Sequence, residues 1–273
     1  MIAGTARGFR DILPKEALAR ERISATVRDC FAEHGYLPVE TPLLEDRAAL
    51  ERGGRIKNTP FQLFDADGNL LMLRPDLTLP VARLVAGHVR AEELPARFRY
   101  NAPVVREQQS LRGQPRQFTQ LGVELVGTDG AAAEVEVVRL LAEALATLEV
   151  PAWRLVFGSV TPLTALLSNC SPSPEFSAQV LALVHDSDLV SLDELVDATP
   201  ALKPSAARAL HAVPRMHGGV EVVDAIDALL AEADVPPAER GCAELKALVA
   251  ELSDLFGDGR ASFDFSIINS FDY

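Results

Sequence analysis

Between positions 97 and 124 the sequence concentrates side chains that recognise charge: Arg97, Arg99, Arg106, Arg112 and Arg116, followed by Gln120 and Glu124. Guanidinium groups chelate phosphate or carboxylate through paired hydrogen bonds. Reading residues 117–127 as a strand with a period of two puts Leu121, Val123 and Leu125 on one face. Phe118, Gln120, Gly122, Glu124 and Val126 fall on the other. The first face is made for burial under helices. The second sets an amide and a carboxylate about 13 Å apart, at ~3.3 Å per residue, with a glycine between them that leaves room for a small polar ligand. The plainer reading is that the arginines and glutamines solvate a hairpin loop and that Glu124 lies on a rim. Both readings fit the alternation.

These residues need a frame. Residues 14–34 read as a helix opened by Pro14 and stopped by Gly35, with Ile23, Val27, Cys30 and Phe31 as its apolar stripe. Residues 36–45 read as a strand ended by Pro42. Residues 61–76 read as a hairpin turning at Asp65-Ala66-Asp67-Gly68, with a helix beginning after Pro75. Two strands, 97–106 and 117–127, flank the polar loop. Residues 131–150 form an amphipathic helix with Val138, Leu141, Leu145 and Leu148 on one face, and 153–160 a short apolar strand. From 161 to 262 the chain is rich in Ala, Leu, Asp and Glu and broken by Pro- and Gly-containing loops, which predicts a run of helices. Residues 263–273 close as a strand. This order predicts an α+β fold: a core over 1–160, a helical insertion over 161–262 and a returning core strand over 263–273.

Composition narrows the function. A net charge of −13 over 273 residues argues against broad, non-specific binding of nucleic acid. The N-terminal residues carry no apolar run of a secretory signal, and no window reaches the ~18 apolar residues of a membrane span. Cys30, Cys170 and Cys242 are far apart, with no CxxC pair, and fit a reducing cytoplasm. The five histidines lack metal-ligand spacing, Gly53-Gly54 is not followed by GK[ST], and there is no GxSxG motif. The expectation is a cytoplasmic protein with no metal, no cofactor and no catalytic residues.

The stretch RFRYNAPVVREQQSLRGQPRQFTQLGVELVG resembles the second signature motif of class II aminoacyl-tRNA synthetases in its histidyl form. RGFRDILP resembles that family's N-terminal segment, GYLPVETPLLE its dimer-forming first motif, and LMLRPDLTLPVAR its histidine-binding LRPEGT segment. The resemblance covers residues 7–160 and the closing FDFSIINSFDY, and implies an antiparallel sheet flanked by helices. It implies that Asp76 and Thr78 hold the α-amino group of histidine. Gln120 and Glu124 would complete the pocket, Glu124 towards the imidazole, and Arg106 would lie at the substrate carboxylate.

The departures point away from a synthetase. Gln108 stands for the glutamate that places ATP, Leu77 for a glycine, and Asn269 for the arginine that drives histidine activation. Asparagine supplies no fixed positive charge, and losing such a group costs orders of magnitude in rate. The sequence also stops at Tyr273, before the third motif, so the core is expected to be truncated there. The pattern is similar to the synthetase-like regulatory subunits of ATP phosphoribosyltransferase, which act with a short-form catalytic subunit at the first step of histidine biosynthesis. That resemblance implies a homodimer within a hetero-oligomer, L-histidine as ligand, feedback control, and neither tRNA nor membrane as partner. A histidyl-tRNA synthetase core fragment and a stand-alone histidine-binding module are the alternatives.

Overall fold

The computed structural model describes residues 4–51, 61–106 and 115–267. Its contacts divide the chain into two units, one of Met1–Val150 with Asp272–Tyr273, the other of Pro151–Phe271.

In the first unit, Pro14 at the first turn opens α1 (Pro14–Glu33) and Gly35, at φ +79°, ends it. Val27, Cys30 and Phe31 are buried with Tyr36, Leu140 and Ala144, and Leu121 and Val123 pack against them. Ile23, expected in the stripe, is exposed, because this cluster reaches only the C-terminal half of the helix. The expected strand over 36–45 is two pieces, β1 (Leu37–Pro38) and β2 (Leu44–Asp46), followed by a short helix α2 (Arg47–Glu51). Pro38 and Pro42 each lack the N–H that a continuous ladder needs.

The hairpin is present as β3 (Gln62–Phe64) and β4 (Leu70–Leu73), its turn held by Asp65, which accepts from the Asp67 and Asn69 amides at 2.9 Å each. Helix α3 (Thr78–His88) follows. Strands β5 (Ala96–Val105) and β6 (Gln117–Val126) form a long antiparallel pair, in register from Ala96↔Val126 to Val105↔Gln117. The Arg106 amide donates to the Arg116 carbonyl at 2.8 Å beyond the last pair.

Strand β1 joins β5 in parallel, a departure from the expected antiparallel sheet that the long connection between them permits. β2, β4 and β3 form a second, antiparallel sheet. Helix α4 (Ala131–Thr147) buries Leu140 and Ala144, while Leu141, expected on the inner face, is exposed. Arg74 ties these pieces together. Buried at 3% exposure, it donates to the carbonyls of Thr41 at 2.5 Å, Pro42 at 3.2 Å and Pro103 at 3.0 Å.

In the second unit, β7 (Leu155–Phe157) leads into α5 (Thr161–Cys170), α6 (Pro174–His185), α7 (Leu189–Asp197) and α8 (Pro204–Ala212). Then come β8 (His217–Gly218), α9 (Glu221–Glu232), α10 (Cys242–Glu251), α11 (Ser253–Gly257) and β9 (Ala261–Asp264). The helices close on an apolar core in which Leu166, Val180, Leu192, Leu210, Ile226 and Leu230 are fully buried. β9 pairs in parallel with β7 and antiparallel with β8. The division after Val150 differs from the boundary read at 160: the strands on either side of the helical run pair with each other inside the second unit. Among the described residues no helix is long and apolar enough to cross a membrane.

Candidate functional site

The register of β5 on β6 decides what stands beside Gln120, Gly122 and Glu124. Their partners are Ala102, Tyr100 and Phe98, and cross-strand partners share a face. Gly122 is opposite Tyr100. A Cβ on Gly122 would lie 2.6 Å from Tyr100 Cζ and 2.7 Å from Cε2, closer than real contacts allow. The gap left by the glycine is therefore taken by the protein's own tyrosine ring, not left open for a ligand as the alternation suggested.

Tyr100 is buried, and its hydroxyl donates to Glu124 Oε1 at 3.2 Å. The Thr78 hydroxyl interacts with the same carboxylate and with Tyr100. Burial raises the Glu124 pKa; the Thr78 and Tyr100 hydroxyls oppose the rise and the nearby Asp76 charge adds to it. The tyrosine pKa is pushed upward, first by burial and then by Glu124.

Asp76 stands where the chain enters α3, and the Leu79 amide donates to its Oδ1 at 3.3 Å. It is 8% exposed, and burial raises its pKa against the helix amides and the Arg106 charge. Arg106 is exposed at the end of β5; its Nε donates to the Pro75 carbonyl at 2.7 Å, and its guanidinium lies over the Phe118 ring at 5.3 Å. Gln120 shares the strand face of Glu124, and its buried amide oxygen has no hydrogen-bond partner among the described residues.

Asp76, Thr78, Glu124 and Arg106 thus meet at the entrance to α3, with Gln120 further along the same strand face. Two desolvated carboxylates favour a ligand bearing positive charge, and an open acceptor on Gln120 favours a donor. Arg106 at the rim suits a carboxylate. This is chemistry of recognition. Tyr100 was not read from the sequence: the loop between β5 and β6 is too long to set the register, and register alone brings Tyr100 onto the ligand face. Gln108, Arg112 and Asn269 lie outside the described residues. Of the histidines, His211 is the most engaged. Its ring nitrogens face Asp193 at 2.6 Å and Asp197 at 3.1 Å, and Arg215 also holds Asp193, linking α7 to the segment from α8 onward.

The fold is that of a class II aminoacyl-tRNA synthetase-like protein. The family model for histidyl-tRNA synthetase matches residues 8–273. The ATP phosphoribosyltransferase regulatory subunit of Moorella thermoacetica is 32% identical over 268 residues, which is 97% of this chain and 68% of that protein. The regulatory subunit of Symbiobacterium thermophilum is 36% identical over 215 residues, 77% of this chain and 53% of that protein. A crystal structure from Bacillus halodurans, described as an ATP phosphoribosyltransferase regulatory subunit/histidyl-tRNA synthetase, superposes with TM-score 0.87 at 27% identity, covering 98% of this chain and 69% of that one. Histidyl-tRNA synthetase from Nostoc shares the fold, with TM-score 0.79 at 19% identity, over 100% of this chain and 63% of that one. The chain belongs to the histidyl-tRNA synthetase family and, within it, to the ATP phosphoribosyltransferase regulatory subunits. It spans from about half to about two thirds of the length of these curated relatives.

Proposed function

We propose that this chain is the non-catalytic regulatory subunit of an ATP phosphoribosyltransferase, required for the first step of histidine biosynthesis. In this reading it acts in the cytoplasm as a homodimer within a hetero-oligomer, alongside a short-form catalytic subunit. It binds L-histidine through Asp76, Thr78, Arg106, Gln120 and Glu124, and that binding carries feedback control. The observation that supports the pocket best is the meeting of buried Asp76 and half-buried Glu124 at one helix entrance, with an amide oxygen further along the strand that has no partner among the described residues. A cationic amino acid with a donor-bearing ring answers all three. Segment 161–262 is read as an insertion in the synthetase-like core over 1–160, with 263–273 as the returning strand. The Phe157↔Phe263 pairing supports this, because an insertion must leave and re-enter at neighbouring points.

Regulation requires that histidine favour one state of the complex, and the coupling must be reciprocal. The test is titration of histidine into wild type and Glu124→Ala, with inhibition curves for each reconstituted complex. Loss of a charge-assisted hydrogen bond is worth ~1.5–3 kcal/mol, so the mutant should bind histidine roughly ten- to a hundredfold more weakly and be less inhibited. Basal phosphoribosyltransferase activity should persist. Unchanged binding and unchanged inhibition would place the effector elsewhere.

A further inference from the structure

Tyr100 and the two residues that enclose it have no part in the reading so far. Leu77, which stands where the resembling segment has a glycine, is 1% exposed and packs in one cluster with Tyr100, Val81 and Val104. Gly122 lies against the same ring, with no space for a Cβ. Beyond the ring, the hydroxyl reaches Glu124 Oε1. We propose that Tyr100, packed in one cluster with Leu77 and seated against Gly122, is the positioning residue of the pocket, fixing the Glu124 carboxylate for the ring of the ligand. The proposal rests on the histidine-pocket reading above and deepens it.

The physical reason is rotamer freedom. A glutamate on a strand has three rotatable bonds, and ordering it on binding costs affinity. A phenol has two, both stopped here by packing, so its hydroxyl presents a fixed donor to the carboxylate. The same donor stabilises the charged form of Glu124 against burial. Removing it should raise the pH at which Glu124 takes up a proton. The acid limb of ligand binding should move with it, because a protonated carboxyl no longer attracts a cation.

The test is calorimetric titration of L-histidine from about pH 5.5 to about pH 8.5 into wild type, Tyr100→Phe, Gly122→Ala and Glu124→Ala. Tyr100→Phe keeps the ring and its packing, so it should stay folded with a wild-type melting profile. Its histidine affinity should fall about tenfold at neutral pH, and its acid limb should move to higher pH. Gly122→Ala should weaken binding at least as much, because the ring must leave its seat. A tyrosine with only a packing role predicts a wild-type acid limb in Tyr100→Phe. That result, or unchanged affinity there while Glu124→Ala binds weakly, overturns this proposal and leaves the pocket reading intact. A wild type that binds no histidine overturns both.

Discussion

Burial raises the pKa of Asp76 and of Glu124 because both carboxyls lose hydration, and neither the Arg106 charge near Asp76 nor the Thr78 and Tyr100 hydroxyls near Glu124 make up for that loss. The linkage follows from the direction of the shift. A carboxyl whose folded pKa lies above its unfolded value binds its proton more tightly in the folded state. Its contribution to stability is fully present below the unfolded pKa of ~4 and is lost as pH rises through the folded value. At neutral pH each charge therefore costs stability, a cost that a neighbouring positive charge would reduce. Asp76→Asn keeps an oxygen to accept from the Leu79 amide and removes the charge. The variant should melt higher than wild type at about pH 7.5, by on the order of 2 °C, and bind histidine more weakly. The gain should vanish near pH 4, where Asp76 is itself protonated. Thermal melts by circular dichroism at both pH values check this; an equal gain at both would mean that charge is not the cause.

At the scale of elements, the pocket depends on how β4 hands the chain to α3. Arg74 is the strap. Its own amide donates to the Leu43 carbonyl at 3.1 Å, its carbonyl accepts from Val105 at 3.1 Å, and its guanidinium serves Thr41, Pro42 and Pro103. These contacts join the broken first strand, the end of β5 and the residue two before Asp76. A planar fork reaches acceptors in several directions, whereas a lysine ammonium is a single point on a flexible stem. Arg74→Lys should take the donor from at least one of the three carbonyls, at about 0.5–1.5 kcal/mol per lost hydrogen bond. Urea unfolding should show a lower midpoint with an unchanged slope, and histidine affinity should fall with it because Asp76 loses its anchor. Full stability in the lysine variant would show that the strap is dispensable.

At the scale of the molecule, the first unit leaves apolar side chains in water that a monomer has little reason to expose. Leu13 is 70% exposed, Leu37 64% and Phe64 71%, with Leu18, Ile23, Leu43, Leu44 and Leu63 exposed as well. Several belong to the segment that resembles the dimer-forming motif of class II synthetases. The expected outcome is a homodimer by light scattering at micromolar concentration, and a monomer there would contradict it. A second expectation concerns activity. With Gln108 and Asn269 in place of a glutamate and an arginine, histidine-dependent ATP–pyrophosphate exchange should be absent. Exchange at a synthetase's rate would restore the synthetase alternative.

Period and punctuation sufficed for what is local. Pro14 and Gly35 bounded α1, the two arms around the polar loop were legible to within a residue, and the Leu121/Val123 face lies under helices as the alternation of β6 implies. Ordered motifs made the family visible, because a motif is a run of neighbours. What the sequence left open is non-local. Ile23 and Leu141 fit their helices' apolar stripes yet lie in water, since burial depends on where the opposing element ends. The strand over 36–45 is two pieces that pair with β5 in one sheet and β4 in another, and which partner each piece meets is not written in its own residues. Gly122 read as space for a ligand, and it is space for Tyr100. That last correction turns on a register set by pairing between residues from twelve to thirty positions apart. No period within one strand encodes it; only the closed β5–β6 pair does.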